Sequence, residues 1–368
     1  MRWSITLGTF AGTAVRVHVT FLLFLAFIGF AAYAQGGAPA ARDSLLLITA
    51  IFTCVVLHEF GHILTARRFG VHSSEVTLLP IGGVATVDKM PEKPSQELLI
   101  ALAGPAVNVV IATLLVLYTG TLDSGAFAHL DDPRFSLAER LAATNISLAL
   151  FNMLPAFPMD GGRVLRATLA LWLGVERATR IAAQIGQVLA FGLGFIGLFG
   201  HPMLIFVAIF VYMAAAGEAQ MTAVAEATRG VSIADAMETR IFSLPRDACV
   251  REAVDYLLAA AQEEFPLIDH AGRFCGLLRR SDILDALKNG DPGDPVAPFA
   301  HQVAPIVDAR EPLSAALPRL EAAPALAVVD GDGRLLGLLT RQSLAEVVMI
   351  KAARPDWRFG AKAARRPA

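Results

Sequence analysis

The sequence predicts two parts in series. The first is a membrane α-helical bundle with about six transmembrane helices and a membrane-associated β-like loop. The second is a cytoplasmic α/β unit built as a tandem repeat. Three observations carry this expectation. Of the 368 residues 55% are hydrophobic and 17% charged, but 26 charged side chains fall among residues 1–222 and 38 among residues 223–368. Runs of about 20 apolar residues, long enough to cross a bilayer, occur only in the first part. A strand–turn–strand pattern is written twice in the second part, 61 residues apart. The mean hydropathy of +0.55 and the formal net charge of −2 exclude a disordered chain and a polyanion-binding basic protein, so no nucleic-acid partner is expected.

In chain order, the apolar runs are 15–34, 45–64, 98–118, 141–159 and 181–217. The last is long enough for two helices and divides at Gly200-His201-Pro202. The first run has no small-residue cleavage site before a soluble domain, so it is expected to remain as a span. Lys and Arg are enriched in cytoplasmic connections. With the N-terminus inside, ten of the 13 Lys and Arg of this part lie in inside segments and three outside. The soluble unit then follows on the cytoplasmic side. None of the three cysteines, Cys54, Cys249 and Cys275, stands in a CxxC spacing, which suits a reducing compartment.

Ionisable groups inside a span are costly and mark function. The second run contains His58-Glu59-Phe60-Gly61-His62. Histidines four residues apart share a helix face, so both imidazoles can hold one Zn²⁺, and the glutamate beside them can take a proton from the attacking water. Catalytic zinc generally has three protein ligands. The conspicuous carboxylate for the third is Asp160, at the end of the fourth run in Asn152-Met-Leu-Pro155-Ala-Phe-Pro158-Met-Asp160-Gly161-Gly162. Runs two and four have the same direction, so Asp160 and His62 are expected at compatible depth. The prolines break the helix there, which a membrane tolerates beside a polar cavity. Asn152 could donate a hydrogen bond to a developing oxyanion. Residues 74–87 read as strand-like and could supply a sheet edge that pairs with an unwound substrate. His18, in the first run, either lines an entrance to the site or is an interfacial side chain.

These motifs together resemble the site-2 protease family of intramembrane zinc metalloproteases. Gly104-Pro105-Ala-Val-Asn108 resembles that family's G-P-x-x-N segment, and Leu79-Pro80-Ile-Gly82-Gly83 its glycine-bearing loop. The resemblance covers about residues 1–220. It implies His58, His62 and Asp160 as metal ligands, Glu59 as catalytic base and Asn152 near substrate. It also implies a single-span membrane protein as substrate. Asn108 is expected to be structural, packed among the small residues around it.

In the second part, Leu267-Ile-Asp269-His-Ala-Gly272-Arg273-Phe-Cys-Gly276 recurs as Val328-Val-Asp330-Gly-Asp-Gly333-Arg334-Leu-Leu-Gly337. Each copy reads strand, turn, strand and amphipathic helix, at 281–288 and 342–349, and each follows an apolar-periodic helix, at 250–261 and 313–320. This looks like a tandem pair of cystathionine-β-synthase-type (CBS) domains, a pairing that implies an adenine nucleotide between the copies. The family's Thr/Ser-x-x-Asp pattern is halved here: Asp282 is present in the first copy and Thr340 in the second. If nucleotide binds, Asp282 would meet the ribose and Thr340 a phosphate. A homodimer through the CBS pair is the other role such a pairing supports.

The expected organisation is a membrane metalloprotease domain over 1–220, a linker over 221–230, repeats over 231–290 and 296–350, and a basic tail over 351–368. The expected setting is the lipid bilayer of a bacterial cell membrane, with the N-terminus and CBS domains cytoplasmic. The rival from another class is a CBS-regulated transporter or channel, which has no need of HExxH together with Asp160-Gly161.

Overall fold

Two strands precede the first helix. In the computed structural model, which describes residues 3–80, 82–87, 93–121, 125–128, 132, 134–301, 304–354 and 356–359, β1 is Ser4–Phe10 and β2 is Thr13–His18. The first apolar run therefore opens as strand, and helix α1 (Val19–Arg67) starts only after His18, whose side chain accepts from the Thr20 N–H. The alternation in Thr13-Ala-Val15-Arg-Val17 explains this correction: every second residue is buried, the period of a strand with one covered face.

Helix α1 has 49 residues, about 73 Å if straight at 1.5 Å per residue. It cannot be straight, because β2 before it pairs in parallel with β3 (Ser73–Leu79) after it. The helix folds back at Gly36-Gly37, where Gly37 has φ 70°, a left-handed conformation that L side chains rarely adopt. The two limbs pack together: Phe21 and Phe52 lie 4.4 Å apart between ring centroids. Beyond β3, β4 (Gly82–Val87) completes a sheet in the order β1-β2-β3-β4, antiparallel except for the β2–β3 pair. The strand-like reading of 74–87 is thus one half of a larger sheet.

Helix α2 (Pro94–Thr119) opens on a proline at its first turn and stops at Gly120, left-handed at φ 73°. A single turn, α3 (Gly125–Ala128), precedes α4 (Leu137–Asn152), which begins with a Ser136–Glu139 capping box. At its start the buried Arg140 reaches both oxygens of Asp43, at 2.8 and 2.7 Å, and so ties α4 to the fold-back of α1. Helix α4 ends at Asn152, short of the expected end of the fourth run, because Pro155 and Pro158 lack the N–H that would continue it. Helix α5 (Asp160–Leu173) starts at Asp160, followed by α6 (Val175–Phe199) and α7 (Met203–Thr228). Residues 221–228, expected as linker, continue α7. Among the described residues four helices are long and apolar enough to cross a membrane: α1, α2, α6 and α7. With 16 residues, α4 is shorter than a usual span.

The chain forms two compact units, Met1–Gln220 and Met221–Ala368. In the second, the turn α8 (Ile233–Ala236) leads to β5 (Leu244–Pro245), α9 (Val250–Ala259), β6 (Glu264–Ile268), β7 (Phe274–Arg279) and α10 (Arg280–Asn289). The second copy has β8 (Ile306–Asp308), α11 (Leu313–Ala322), β9 (Ala325–Val329), β10 (Leu335–Thr340) and α12 (Arg341–Ala353). Two three-stranded sheets result, β5-β6-β7 and β10-β9-β8, each backed by its own buried apolar cluster. The repeated turns share one device. Asp269 Oδ1 accepts from the N–H of Ala271 and Arg273, and Asp330 Oδ1 from those of Asp332 and Arg334. Of the basic tail, Lys362, Arg365 and Arg366 lie outside the described residues.

Candidate active site

Helix α1 carries His58 and His62 one turn apart on the face that meets α2, and α5 brings Asp160 to them from its first residue. The two Nε2 atoms are 3.1 Å apart, and Asp160 Oδ2 lies 3.2 Å from each. His58 and Asp160 are buried. The three residues of the expected ligand set are therefore brought together from two parts of the chain, α1 and α5.

The remaining ring nitrogens are already committed. His62 Nδ1 donates to the Ile100 carbonyl at 2.7 Å, and His58 Nδ1 donates to Asn108 Oδ1. Asn108 Nδ2 in turn donates to Asn145 Oδ1 at 2.8 Å, and Asn145 Nδ2 to the Leu141 carbonyl at 2.8 Å. With Nδ1 protonated, a neutral imidazole presents a bare lone pair at Nε2. Two such lone pairs face a carboxylate oxygen that is buried and has no hydrogen-bond donor. Three converging lone pairs with no proton between them require a cation. Two imidazole nitrogens and one carboxylate oxygen are a donor set suited to Zn²⁺. The space is kept by Gly104: a Cβ there would fall 2.2 Å from His62 Nε2 and 2.7 Å from His58 Nε2.

Glu59, on the same turn of α1, is half-buried beside β4. A Cβ on Gly83 would lie 2.9 Å from Glu59 Cγ, so only glycine lets the strand pass this close. Strand β4 is the last of its sheet, and its outer edge carries no other strand among the described residues. Asn152 closes α4, half-buried, eight residues before Asp160. His18 caps α1 rather than joining the ligand cluster. Asn145 belongs to the hydrogen-bond network of His58 and Asn108 without being expected there from the sequence. A signal for it lies in the spacing: Asn145 is an amide in a run without charges, seven residues from Asn152 and so on the same helix face.

In the second unit, Asp282 Oδ2 accepts from the Arg279 backbone N–H at 2.9 Å and lies 3.4 Å from His301 Nε2. Thr340 Oγ1 donates to Glu238 Oε1 at 2.7 Å and accepts from the Ser343 N–H at 3.0 Å. Both expected nucleotide contacts thus have partners within the chain. The surroundings are acidic: burial pushes the Glu264 carboxyl above its ordinary value, helped by Glu263 and Glu238 and opposed by Arg279.

Comparison with known proteins finds relatives of both units. The model of peptidase family M50 matches residues 46–132 and 128–193, and that of the CBS domain matches residues 233–289 and 299–350. Zinc metalloprotease MJ0392 of Methanocaldococcus jannaschii is 34% identical over 76% of this chain and 78% of its own. Rip3 of Mycobacterium tuberculosis is 30% identical over 98% of this chain and 96% of its own. Among solved structures, a site-2 protease from Methanocaldococcus jannaschii is 37% identical, with a TM-score of 0.44 over 59% of this chain and 95% of that one. The chain belongs to peptidase family M50, the site-2 proteases, as a zinc metalloprotease with a tandem pair of CBS domains.

Proposed function

We propose that the protein is an intramembrane zinc endopeptidase. It hydrolyses a peptide bond in or near the transmembrane segment of a single-span membrane protein, and the CBS pair modulates it. The observation that carries this reading is the convergence of His58 Nε2, His62 Nε2 and Asp160 Oδ2, with Glu59 on the same turn of α1, a helix long and apolar enough to cross a membrane. These three residues would hold the zinc. When bound, zinc polarises the scissile carbonyl and acidifies the attacking water. Glu59 takes the proton from that water and returns it to the leaving amine. The Asn152 amide donates to the oxyanion. Asn108 and the Ile100 carbonyl hold the two imidazoles in the tautomer that leaves Nε2 free.

A peptide bond within a helix is shielded by its own turns, so the substrate must be unwound. The outer edge of β4, passing Glu59 at Gly83, supports a role in pairing with the freed backbone. The fold-back of α1 supports two crossings by that helix. With α2, α4, α6 and α7 this makes six, with N-terminus and CBS pair cytoplasmic in a bacterial membrane, as the Lys and Arg distribution favours. A homodimer through the CBS pair belongs to the same reading. Zinc content, measured on purified wild type, His58→Ala and Asp160→Asn, tests the ligand assignment. One zinc per wild-type chain and a loss in each variant are expected; full occupancy in both variants would contradict it.

A further inference from the structure

Arg166 is buried on α5, six residues after Asp160, and no step of the reaction described above uses it. Its guanidinium fork is divided. Nε donates to Glu97 Oε1 at 2.8 Å, Nη2 donates to the same oxygen, and Nη1 donates to Glu218 Oε1. The same guanidinium stacks on the Phe157 ring, 5.3 Å from its centroid. Phe157 is 2% exposed, packs with Ala182, Ala183 and Ala215, and stands three residues before Asp160.

The partners lie on informative elements. Glu97 is on α2, one turn before Ile100, whose carbonyl orients His62, and α2 also carries Gly104 and Asn108. The Glu97–Arg166 pair therefore joins the helix that orients the histidines to the helix that carries the aspartate. Glu218 adds a second strut, from a third helix, α7, which continues unbroken to Thr228 at the head of the CBS repeats. A buried cation shared by two carboxylates is a poor source of stability, since apolar residues of similar volume often serve as well or better. Its value lies in geometry: a planar fork spans two acceptors at fixed angles, and an ammonium does not.

We propose that Arg166 is a positioning residue for the zinc site, its clasp on Glu97 and Glu218 setting the spacing between the histidine pair and Asp160. Glu218 is then the point at which a shift of α7 reaches that spacing. This rests on the ligand assignment above. The test is zinc affinity by chelator competition, together with the Co²⁺ absorption spectrum, on the full-length protein. Arg166→Lys keeps the charge but loses the fork, and zinc affinity is expected to fall about 10–100-fold, the range for outer supports of metal ligands, with a changed Co²⁺ spectrum. In cleavage assays kcat falls and KM holds. The triple variant Glu97→Met, Arg166→Met, Glu218→Met removes every charge of the clasp, leaves none unpaired and is expected to stay folded while showing the same loss. Should that variant fail to fold, Glu97→Gln alone is expected to weaken zinc and alter the spectrum. Wild-type zinc affinity and an unchanged spectrum in Arg166→Lys would overturn this inference alone; a wild type that binds no zinc would overturn the ligand assignment with it.

Discussion

Asn108 is the residue whose role changed most. Expected as packing, it accepts from His58 Nδ1 and passes the hydrogen bond on to Asn145. Asn108→Leu removes that acceptor and frees the imidazole to change tautomer. Zinc affinity is expected to fall about 10–100-fold by chelator competition, as for other outer-shell partners, with the thermal transition of the protein retained. Gly104→Ala is expected to be more severe, since its Cβ would stand 2.2 Å from His62 Nε2. The zinc-ligand candidates were legible because ionisable residues in an apolar run are conspicuous and the i, i+4 spacing fixes a shared face. Asn145 and the Arg166 clasp were not, because their meaning depends on contacts between segments 37, 52 and 69 residues apart, which no local pattern encodes.

At the scale of elements, β1 and β2 escaped the apolar-run reading. A strand beside a membrane helix shares its composition, and only the period-two burial of Thr13, Val15 and Val17 separates them. The position of β4 beside Glu59 makes a specific expectation. Proline placed singly along residues 84–86 interrupts the outer edge, so cleavage of a single-span substrate is expected to fall while zinc content stays at the wild-type level. Unchanged cleavage would refute the edge-pairing role. In the first CBS copy, the Asp269 carboxylate is held below its ordinary value chiefly by the Arg273 backbone N–H, with desolvation opposing and the Ala271 N–H helping. A depressed carboxylate stabilises above its unfolded pKa, and that stability is lost as pH falls through the folded value. Asp269→Ala is therefore expected to lower the Tm of the CBS unit at neutral pH, by calorimetry. The deficit should narrow once pH drops below about 4, the ordinary aspartate value. A deficit independent of pH would contradict the assignment. The repeat itself was legible because turn, strand and glycine recur in register; the partners of Asp282 and Thr340 were not.

For the whole molecule, the uneven charge of the sequence coincides with its two compact units, and α7 joins them as one helix. A nucleotide that used Thr340 and Asp282 would have to displace Glu238 from Thr340 and compete with the contacts of Asp282. Calorimetric titration with AMP, ADP and ATP is expected to give tighter binding to Glu238→Gln than to wild type, and no heat at millimolar ligand in either would reject the nucleotide role. The proposed role of the His58, His62 and Asp160 cluster is that of a zinc peptidase site with Glu59 as its base. It is tested most directly by zinc content and cleavage of a single-span membrane substrate, measured together on wild type and Glu59→Gln. The expected result is one zinc per chain in both and a cleavage rate lower by about 10²–10⁴-fold in the variant, the usual contribution of a general base. Cleavage by Glu59→Gln at the wild-type rate, with zinc bound, would contradict it.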